Sequence, residues 1–145
     1  MVKILVKKLN PKVKLPEYKT NGSSGMDLMA FIKDPITIKS KSSSLVSTGL
    51  SIAFSKNYEI QIRPRSGLAA KNSISILNTP GTIDSDYRGE LKVILYNHGN
   101  HEFIVNNGDR IAQIVLTPIE KIELEETDHL PETIRGDGGL GSTGK

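Results

Sequence analysis

The sequence predicts an all-β protein, a barrel or a sandwich, because short segments alternate between large apolar and small or polar residues. Leu50–Phe54 and Tyr58–Arg63 both place an apolar side chain at every second position. This period gives a strand one buried and one exposed face. Turn-forming residues such as Asn21-Gly22 and Asn107-Gly108 separate the candidate strands. Many short strands joined by polar turns are typical of barrels and sandwiches.

The remaining elements follow from the same patterns. Only Ser66–Asn72 favours a helix, with Ser66 as its N-terminal cap and Asn72 as its end. Lys39–Ser44 is uniformly polar and is predicted to be a loop. The other strand-like segments, in chain order, are Ile36–Ile38, Ser73–Leu77, Leu91–Tyr96, Glu102–Val105 and Ile111–Leu116.

Length and composition limit the class of protein. The chain has 145 residues and no cysteine. Such a length is typical of a single domain with its own hydrophobic core. The lack of cysteine excludes disulfides, a thiol nucleophile and cysteine-ligated metals. No apolar run approaches the roughly 18 residues of a membrane-spanning helix, so we expect a soluble, cytoplasmic protein with no membrane partner.

The charge gives little support to a nucleic-acid partner. Nineteen lysines and arginines against 16 aspartates and glutamates give a net charge of +3, which is that of an ordinary surface. Aromatic residues make up only 5% of the chain, which is few for a platform that stacks single-stranded bases. We expect no nucleic-acid binding.

The C-terminus differs from the body of the chain. Five of its last ten residues are glycine, and such a segment buries too little surface to fold alone. We therefore divide the chain into a β domain, 1–130, and a C-terminal arm, 131–145. A frayed end is one interpretation of this arm. Its Gly-Ser-Thr-Gly sequence, together with Arg135, also suits a clamp on phosphate.

Two segments combine polar residues with the start of a strand or helix. Asp27 lies between apolar residues in Gly25–Ala30, where a turn or capping role is more common than a place near a metal. Ser66 and Gly67 follow Arg63-Pro64-Arg65 and open the short helix. The free N–H groups of a helix start attract anions, although a plain N-cap explains the serine equally well.

Two further segments carry candidate catalytic or binding groups. Asn78–Gly89 is the densest polar segment, and its end is predicted to be the turn of a hairpin. Asp84 follows Ile83 there, so we expect it to be partly buried and a candidate general base; a turn-forming role is the alternative. Gln113 lies within an apolar strand, where its amide needs a partner from the fold or from a ligand.

Taken in order, these five segments resemble the five motifs of the trimeric deoxyuridine triphosphatases (dUTPases). The resemblance runs from Gly22 to Gly144, nearly the whole chain. Its most specific parts are Pro64-Arg65-Ser66-Gly67, Gly81-x-Ile83-Asp84-x-Asp86-Tyr87-x-Gly89, Gly108–Gln113 and Arg135–Gly144.

This resemblance implies a fold and a reaction. The fold is a jelly-roll-like β-barrel of the β-clip type, assembled as a homotrimer whose three active sites are each shared by all three chains. The reaction is the hydrolysis of dUTP to dUMP and pyrophosphate with Mg²⁺. It would limit uracil incorporation into DNA and supply dUMP for dTMP synthesis.

The resemblance also implies a role for each motif residue. Asp84 would be the general base that activates the attacking water, Tyr87 would pack under the deoxyribose, and Asp27 would hold a water on Mg²⁺. Asn78 and the backbone of Gly81, Thr82 and Ile83 would line the uracil pocket, and Lys92 would border the nucleotide. The phosphates would contact Arg65, Ser66, Gly67 and Gln113. As the arm closes over the substrate, Arg135, Ser142 and Thr143 would wrap the γ-phosphate, with Leu140 at the uracil and Gly141 also in the binding set.

Two alternatives of other classes remain beside this resemblance. A dCTP deaminase of the same fold would carry a catalytic glutamate in its pocket and would lack the Asp-Ser-Asp-Tyr turn and the Arg-Gly-x-Gly-Gly tail. A non-enzymatic β-barrel that binds nucleotides or nucleic acid usually shows stacked aromatics and clustered basic residues, which this sequence lacks.

Leu140 departs from the family pattern, in which a phenylalanine usually stacks on the uracil. Leucine can cover the base but has no π-face, and a lost aromatic contact costs on the order of 0.5–1.5 kcal/mol. We therefore expect Leu140→Phe to lower the KM for dUTP or to leave it unchanged in steady-state kinetics. A several-fold rise in KM would contradict this expectation.

Overall fold

The computed structural model of the protein describes residues 2–139. Within this range the chain forms eleven strands and one helix. The elements are β1 (Leu5–Lys8), β2 (Met26–Met29), β3 (Ile36–Ile38), β4 (Ser43–Ser47), β5 (Leu50–Ala53), β6 (Tyr58–Arg63), α1 (Ser66–Asn72), β7 (Ile74–Ile76), β8 (Gly81–Ile83), β9 (Lys92–Asn97), β10 (Phe103–Val105) and β11 (Arg110–Pro118).

The strands of residues 2–139 pair antiparallel in four sheets. The largest sheet has the order β2-β11-β6-β8, and a second has the order β4-β9-β7. The pairs β1-β5 and β10-β3 form two smaller sheets. Most neighbours are distant in sequence, so the chain crosses repeatedly between sheets, as in a jelly roll. The expected all-β, jelly-roll-like class is confirmed, although the pairing in this range forms separate sheets and does not close one barrel.

An aliphatic core lies between the sheets. In β6, Ile60 and Ile62 are only 1% and 3% exposed, while the residues between and beside them keep partial exposure. This is the alternation that predicted the strand. The other large, fully buried apolar side chains are Leu28, Ile38, Val46, Ile74, Ile76, Leu91, Val93, Leu95, Val105 and Ile111.

The helix spans the predicted residues, but its caps differ from the prediction. Arg65 is the N-cap, because its extended backbone places its carbonyl to accept the first helical bond, from the Ala69 N–H at 3.1 Å. Ser66 is therefore the first helical residue, not the cap, and no side chain caps this end. At the other end it is Ser73, with φ 56°, that takes the left-handed conformation after Asn72.

The sequence pattern did not predict two of the strands, because few or none of their residues are buried. All four residues of β1 are exposed, and the strand is held by its backbone ladder with β5. The prediction of a loop over Lys39–Ser44 is wrong at its last two residues, since β4 begins at Ser43 and pairs with β9. Only Val46 is buried in that strand, so its sequence shows no alternation.

The segment after β8 is not the turn of a hairpin. β8 pairs with β6, whereas β9 pairs with β4 and β7. The chain between Asp84 and Leu91 therefore crosses from one sheet to another. This crossing, not a two-strand ladder, positions the polar residues of the segment.

Beyond Pro118 the described chain continues to residue 139 without a helix or strand. Four apolar side chains in this segment are more than four-fifths exposed: Ile122, Leu124, Leu130 and Ile134. Over residues 2–139, the structure contains no helix with the length and apolar composition required to cross a bilayer.

Candidate active site

Three charged side chains from different elements meet at one end of the large sheet. The Asp27 carboxylate on β2 accepts a hydrogen bond from Arg65 Nε at 2.8 Å and from Arg110 Nη1 at 3.2 Å. A further bond of 3.1 Å joins Arg65 Nη1 to the Arg110 carbonyl. The Asp27 and Arg65 side chains are about one-fifth exposed, and Arg110 is half exposed. One carboxylate between two guanidinium groups leaves a net positive surface, which favours an anion.

Strand register places Gln113 beside the charged cluster of Asp27, Arg65 and Arg110. On β11, Gln113 lies opposite Asp27 of β2 and opposite Arg63 of β6. Its Nε2 donates to the Pro64 carbonyl at 2.8 Å. The amide predicted to need a partner thus has one within the fold, and the contact ties β11 to the segment that leads into α1.

The helix start lies beside this cluster. Ser66 and Gly67 are exposed, and no atom approaches within 4 Å of the position of a Cβ on Gly67. The first turn contains no acidic residue. Glu17 and Lys19 line a cavity together with Asp27 and Arg110. The Lys19 ammonium hydrogen-bonds to the carboxylate of Glu17 and lowers the pKa of that carboxyl.

A second group of polar residues surrounds a cavity of about 210 Å³ at the far end of β8. The prediction that Asp84 is partly buried is wrong in this chain, because β8 ends at Ile83 and Asp84 begins the exposed crossing loop. The lining residues are Thr82, Ile83, Asp84, Tyr87, Glu90 and Lys92.

Tyr87 is held across its own loop. Its hydroxyl donates to the Glu90 carbonyl at 3.0 Å, and its side chain remains 44% exposed. A Cβ on Gly89 would lie 2.3 Å from the Tyr87 hydroxyl oxygen. Because glycine has no Cβ, residue 89 leaves room for the Tyr87 side chain beside the cavity.

At the other end of β8, Gly81 begins the strand and Asn78 lies three residues before it. Gly81 is buried and lies opposite Ile62 of β6. The exposed Asn78 amide packs close to it, with Nδ2 3.3 Å from the position of a Cβ on Gly81. The intervening Thr79–Pro80 peptide bond is cis.

The structure brings the expected residues together as two groups within one chain. The charged cluster around Asp27 lies where β6 leads into α1, whereas Asp84 follows the opposite end of the β6-β8 ladder. Within residues 2–139, no hydrogen bond or ion pair joins Asp84 or Tyr87 to the charged cluster. The two groups are thus separate within the described part of the chain.

The arm is described only in part. Arg135 is exposed, and its Nε donates to the Gly138 carbonyl at 2.8 Å. Leu140, Gly141, Ser142 and Thr143 lie outside the described residues.

Two residues at these groups had no assigned role from the sequence. Arg110 completes the pairing of Asp27 from 83 positions away, and its place next to Gln113 in the fourth motif is the only signal that could have indicated it. Glu90 lines the cavity beside Tyr87, and it carries no distinctive signal, because an acid before a strand is an ordinary surface residue.

The described residues provide no protein cage for a metal. Nowhere between residues 2 and 139 do three or more histidine, cysteine, aspartate or glutamate side chains gather to hold an ion. Mg²⁺, however, usually keeps several waters and binds through substrate phosphates with one or two carboxylates. Asp27 fits such a role, because each of its oxygens has one arginine partner and retains a second lone pair for water.

Comparison with solved structures shows the fold. A mutant dUTPase of Staphylococcus bacteriophage 80alpha, solved with dUpNHpp, matches with a TM-score of 0.85 over 99% of both chains at 21% identity. A mutant dUTPase of phage phi11 of S. aureus, described with a structural Mg(II) ion, matches with a TM-score of 0.80 over 90% of this chain and 99% of that chain, at 19% identity. At these identities the likeness concerns architecture.

Sequence comparison shows the family. The dUTPase family model matches residues 11–144. A deoxyuridine 5'-triphosphate nucleotidohydrolase of Rickettsia bellii is 54% identical over 99% of this chain and 97% of its own length. The enzyme of that name from Fusobacterium nucleatum is 53% identical over the full length of both chains. The chain therefore belongs to the dUTPase family and is an enzyme.

Close packing around Gly25 gives a prediction about the charged cluster. A Cβ at this position would lie 2.6 Å from Gln113 Oε1 and 3.2 Å from the Ile114 carbonyl. Gly25→Ala should displace the Gln113 amide from Pro64, and the loss of such a hydrogen bond costs about 0.5–1.5 kcal/mol. We expect a lower midpoint of thermal unfolding than in the parent protein at equal concentration.

Gly22→Ala is the matched control for this substitution. No atom lies within 4 Å of the position of its Cβ, so its unfolding midpoint should stay at the parent value. Equal midpoints for the two alanine variants would contradict the packing argument.

Proposed function

We propose that the protein hydrolyses dUTP to dUMP and pyrophosphate, with one active site assembled from the charged cluster and the Tyr87 cavity. The observation that carries the proposal is that both groups are built from the chain segments matched by the dUTPase family model. A cationic surface for phosphates and a small cavity beside an aspartate and a tyrosine are the parts that nucleotide hydrolysis requires.

The nucleoside would bind at β8 and its following loop. The backbone of Gly81, Thr82 and Ile83, together with the Asn78 amide, would read the uracil edge, whose 4-position accepts a hydrogen bond where that of cytosine donates one. Tyr87 would pack under the deoxyribose and exclude a 2′-hydroxyl. Lys92 supports this placement, since it lines the same cavity.

The triphosphate would bind at the charged cluster. Arg65 keeps one guanidinium edge for Asp27 and lies at the start of α1, next to the exposed Ser66 and Gly67. Backbone N–H groups and a guanidinium are suitable donors for phosphate oxygens. Gln113 would contribute its amide from the neighbouring strand.

Asp84 would act as the general base. Its carboxylate would accept a proton from the water that attacks the α-phosphorus, and the pyrophosphate would leave from the opposite side. The exposure of Asp84 in the single chain supports a site that is completed by other chains and closed only around substrate.

Mg²⁺ bound to the phosphates would neutralise charge that develops as the phosphoryl group is transferred. Asp27 would hold one of the metal-bound waters by accepting its hydrogen bond. Because two guanidinium groups fix this carboxylate, the water it holds would have a defined position.

We infer that the functional form is a homotrimer with shared sites, divided in each chain into the domain of residues 1–130 and the arm of residues 131–145. Two observations support this arrangement. Asp84 and the charged cluster lie at opposite ends of the β6-β8 ladder, and the chain beyond Pro118 leaves Ile122 and Leu124 more than four-fifths exposed. Apolar side chains exposed to this degree gain about 25 cal/mol per Å² when a partner covers them.

In the cell, this activity would remove dUTP before polymerases incorporate uracil into DNA, and it would supply dUMP for dTMP synthesis. We place it in the cytoplasm.

A direct assay tests the proposed reaction. The purified protein is incubated with Mg²⁺ and either dUTP or dCTP, while pyrophosphate and ammonia are measured separately. Pyrophosphate from dUTP supports the proposal, and its loss on chelation of Mg²⁺ supports the metal requirement. Ammonia from dCTP indicates a deaminase, and salt-dependent DNA binding without turnover indicates a binding protein.

Substitution of the proposed base gives the most specific prediction. Asp84→Asn keeps the size of the side chain but removes its capacity to accept the proton. We expect hydrolysis to fall by about two to four orders of magnitude, while dUTP binding measured by calorimetry and the mass by light scattering stay unchanged. Near-normal turnover would refute the role of Asp84.

Removal of the arm tests its part in catalysis. A chain that ends at Ile134 keeps every strand and the helix of the described fold, so we expect unchanged far-UV circular dichroism. Its hydrolysis of dUTP should be severely reduced, because the proposed clamp on the phosphates is lost. Full activity in this truncated protein would show that residues 135–145 are only a frayed end.

A further inference from the structure

Glu90 joins the loop of the Tyr87 cavity to the turn between β4 and β5. Its Oε1 accepts a hydrogen bond from the Gly49 N–H at 2.9 Å, and its Oε2 accepts one from the Ser47 hydroxyl at 3.4 Å. The Lys92 ammonium lies 3.7 Å from the same Oε2. The Glu90 side chain is about one-fifth exposed, so it is sheltered within the structure.

Backbone contacts reinforce this connection. The Leu91 N–H donates to the Leu50 carbonyl at 2.7 Å, and the buried Thr48 hydroxyl donates to the Leu91 carbonyl at 2.6 Å. The four hydrogen bonds between Ser47–Leu50 and Glu90–Leu91 fix the end of the crossing loop.

The partner of Glu90 is itself rigid. Gly49 has φ +70°, and a Cβ there would lie 2.6 Å from Val13 Cγ2 and 3.0 Å from the ring of Phe31. This close packing limits movement of the Gly49 backbone and so keeps its N–H in place. Glu90 takes its position from that fixed donor.

The position of Glu90 affects the cavity through two residues, Tyr87 and Lys92. The Glu90 carbonyl accepts the Tyr87 hydroxyl at 3.0 Å, so the place of the aromatic ring depends on where the Glu90 backbone is held. The Glu90 carboxylate also faces Lys92, which lines the same cavity. A displaced Glu90 would release both the tyrosine and the lysine.

We propose that Glu90 is a positioning residue that sets the discrimination between deoxyribose and ribose, by fixing Tyr87 against the sugar through its bond to Gly49. The inference rests on the proposed function, in which Tyr87 packs under the deoxyribose. A loosened ring tolerates a 2′-hydroxyl better and supports the deoxyribose less well, so the substrate preference falls while Asp84 and the phosphate contacts remain.

The test compares kcat/KM for dUTP and UTP in the full-length protein. Glu90→Ala removes every carboxylate contact, and we expect the ratio of the two kcat/KM values to fall about tenfold, mainly through a higher KM for dUTP. Glu90→Gln keeps an oxygen that can accept from Gly49, and we expect it to stay within about twofold of the parent ratio.

Glu59→Ala is the matched control, since Glu59 is also a half-buried acid with a hydrogen-bonded neighbour, Gln61, but it does not line the cavity. Its substrate ratio should equal that of the parent even if its stability falls. If Glu90→Ala does not fold, Glu90→Asp takes its place in the test, because the shorter side chain keeps the charge but cannot reach Gly49. The ratio of its kcat/KM values for dUTP and UTP should fall.

An unchanged ratio in Glu90→Ala, or in Glu90→Asp where the alanine variant does not fold, would overturn the proposal. So would an equal fall in Glu59→Ala. Failure of the proposed function is distinguishable from these outcomes, because the parent protein would then release no pyrophosphate from dUTP.

Discussion

The antiparallel register of β11 between β2 and β6 is the constraint on which the rest of the site depends. It places Gln113 opposite both Asp27 and Arg63, and Arg110 begins the same strand. A shift by one residue would turn every side chain of the strand to the opposite face. The register is held by Ala112 and Ile114, which flank Gln113 in the strand and are buried in the core on the opposite face. Hydrophobic packing thus fixes the polar cluster.

In the Tyr87 loop, too, the polar residues depend on contacts made elsewhere in the fold. The polar residues of this loop are mostly exposed, and the side chains of Tyr87 and Arg88 bond only to backbone carbonyls of the same segment. The loop is fixed to the rest of the fold at its two ends, by the β6-β8 ladder before it and the Glu90–Leu91 contacts after it. Binding loops held at both ends by rigid elements are a common way to place functional groups precisely.

Local patterns predicted much of the fold but little of its pairing. The bounds of β3, β6 and α1 follow directly from periodicity and helix propensity. β1 has no buried residue to mark it, and the supposed hairpin after β8 fails because strand partners are chosen by contacts remote in sequence. Contacts between residues far apart in sequence were likewise not predicted in the site. A motif indicated Asp27, but its partner Arg110 follows 83 residues later. Nothing in the sequence indicated the bond between Glu90 and Gly49.

The exposed apolar side chains beyond Pro118 have a consequence for how the protein behaves at different concentrations. In a trimer that covers Ile122, Leu124, Leu130 and Ile134, part of the free energy of the native state comes from association, and mass action makes that part depend on protein concentration. Dilution would then weaken the fold and expose the apolar side chains beyond Pro118 at the same time. Under the proposed trimer, the midpoint of thermal unfolding would therefore fall on dilution, whereas that of a stable monomer would not.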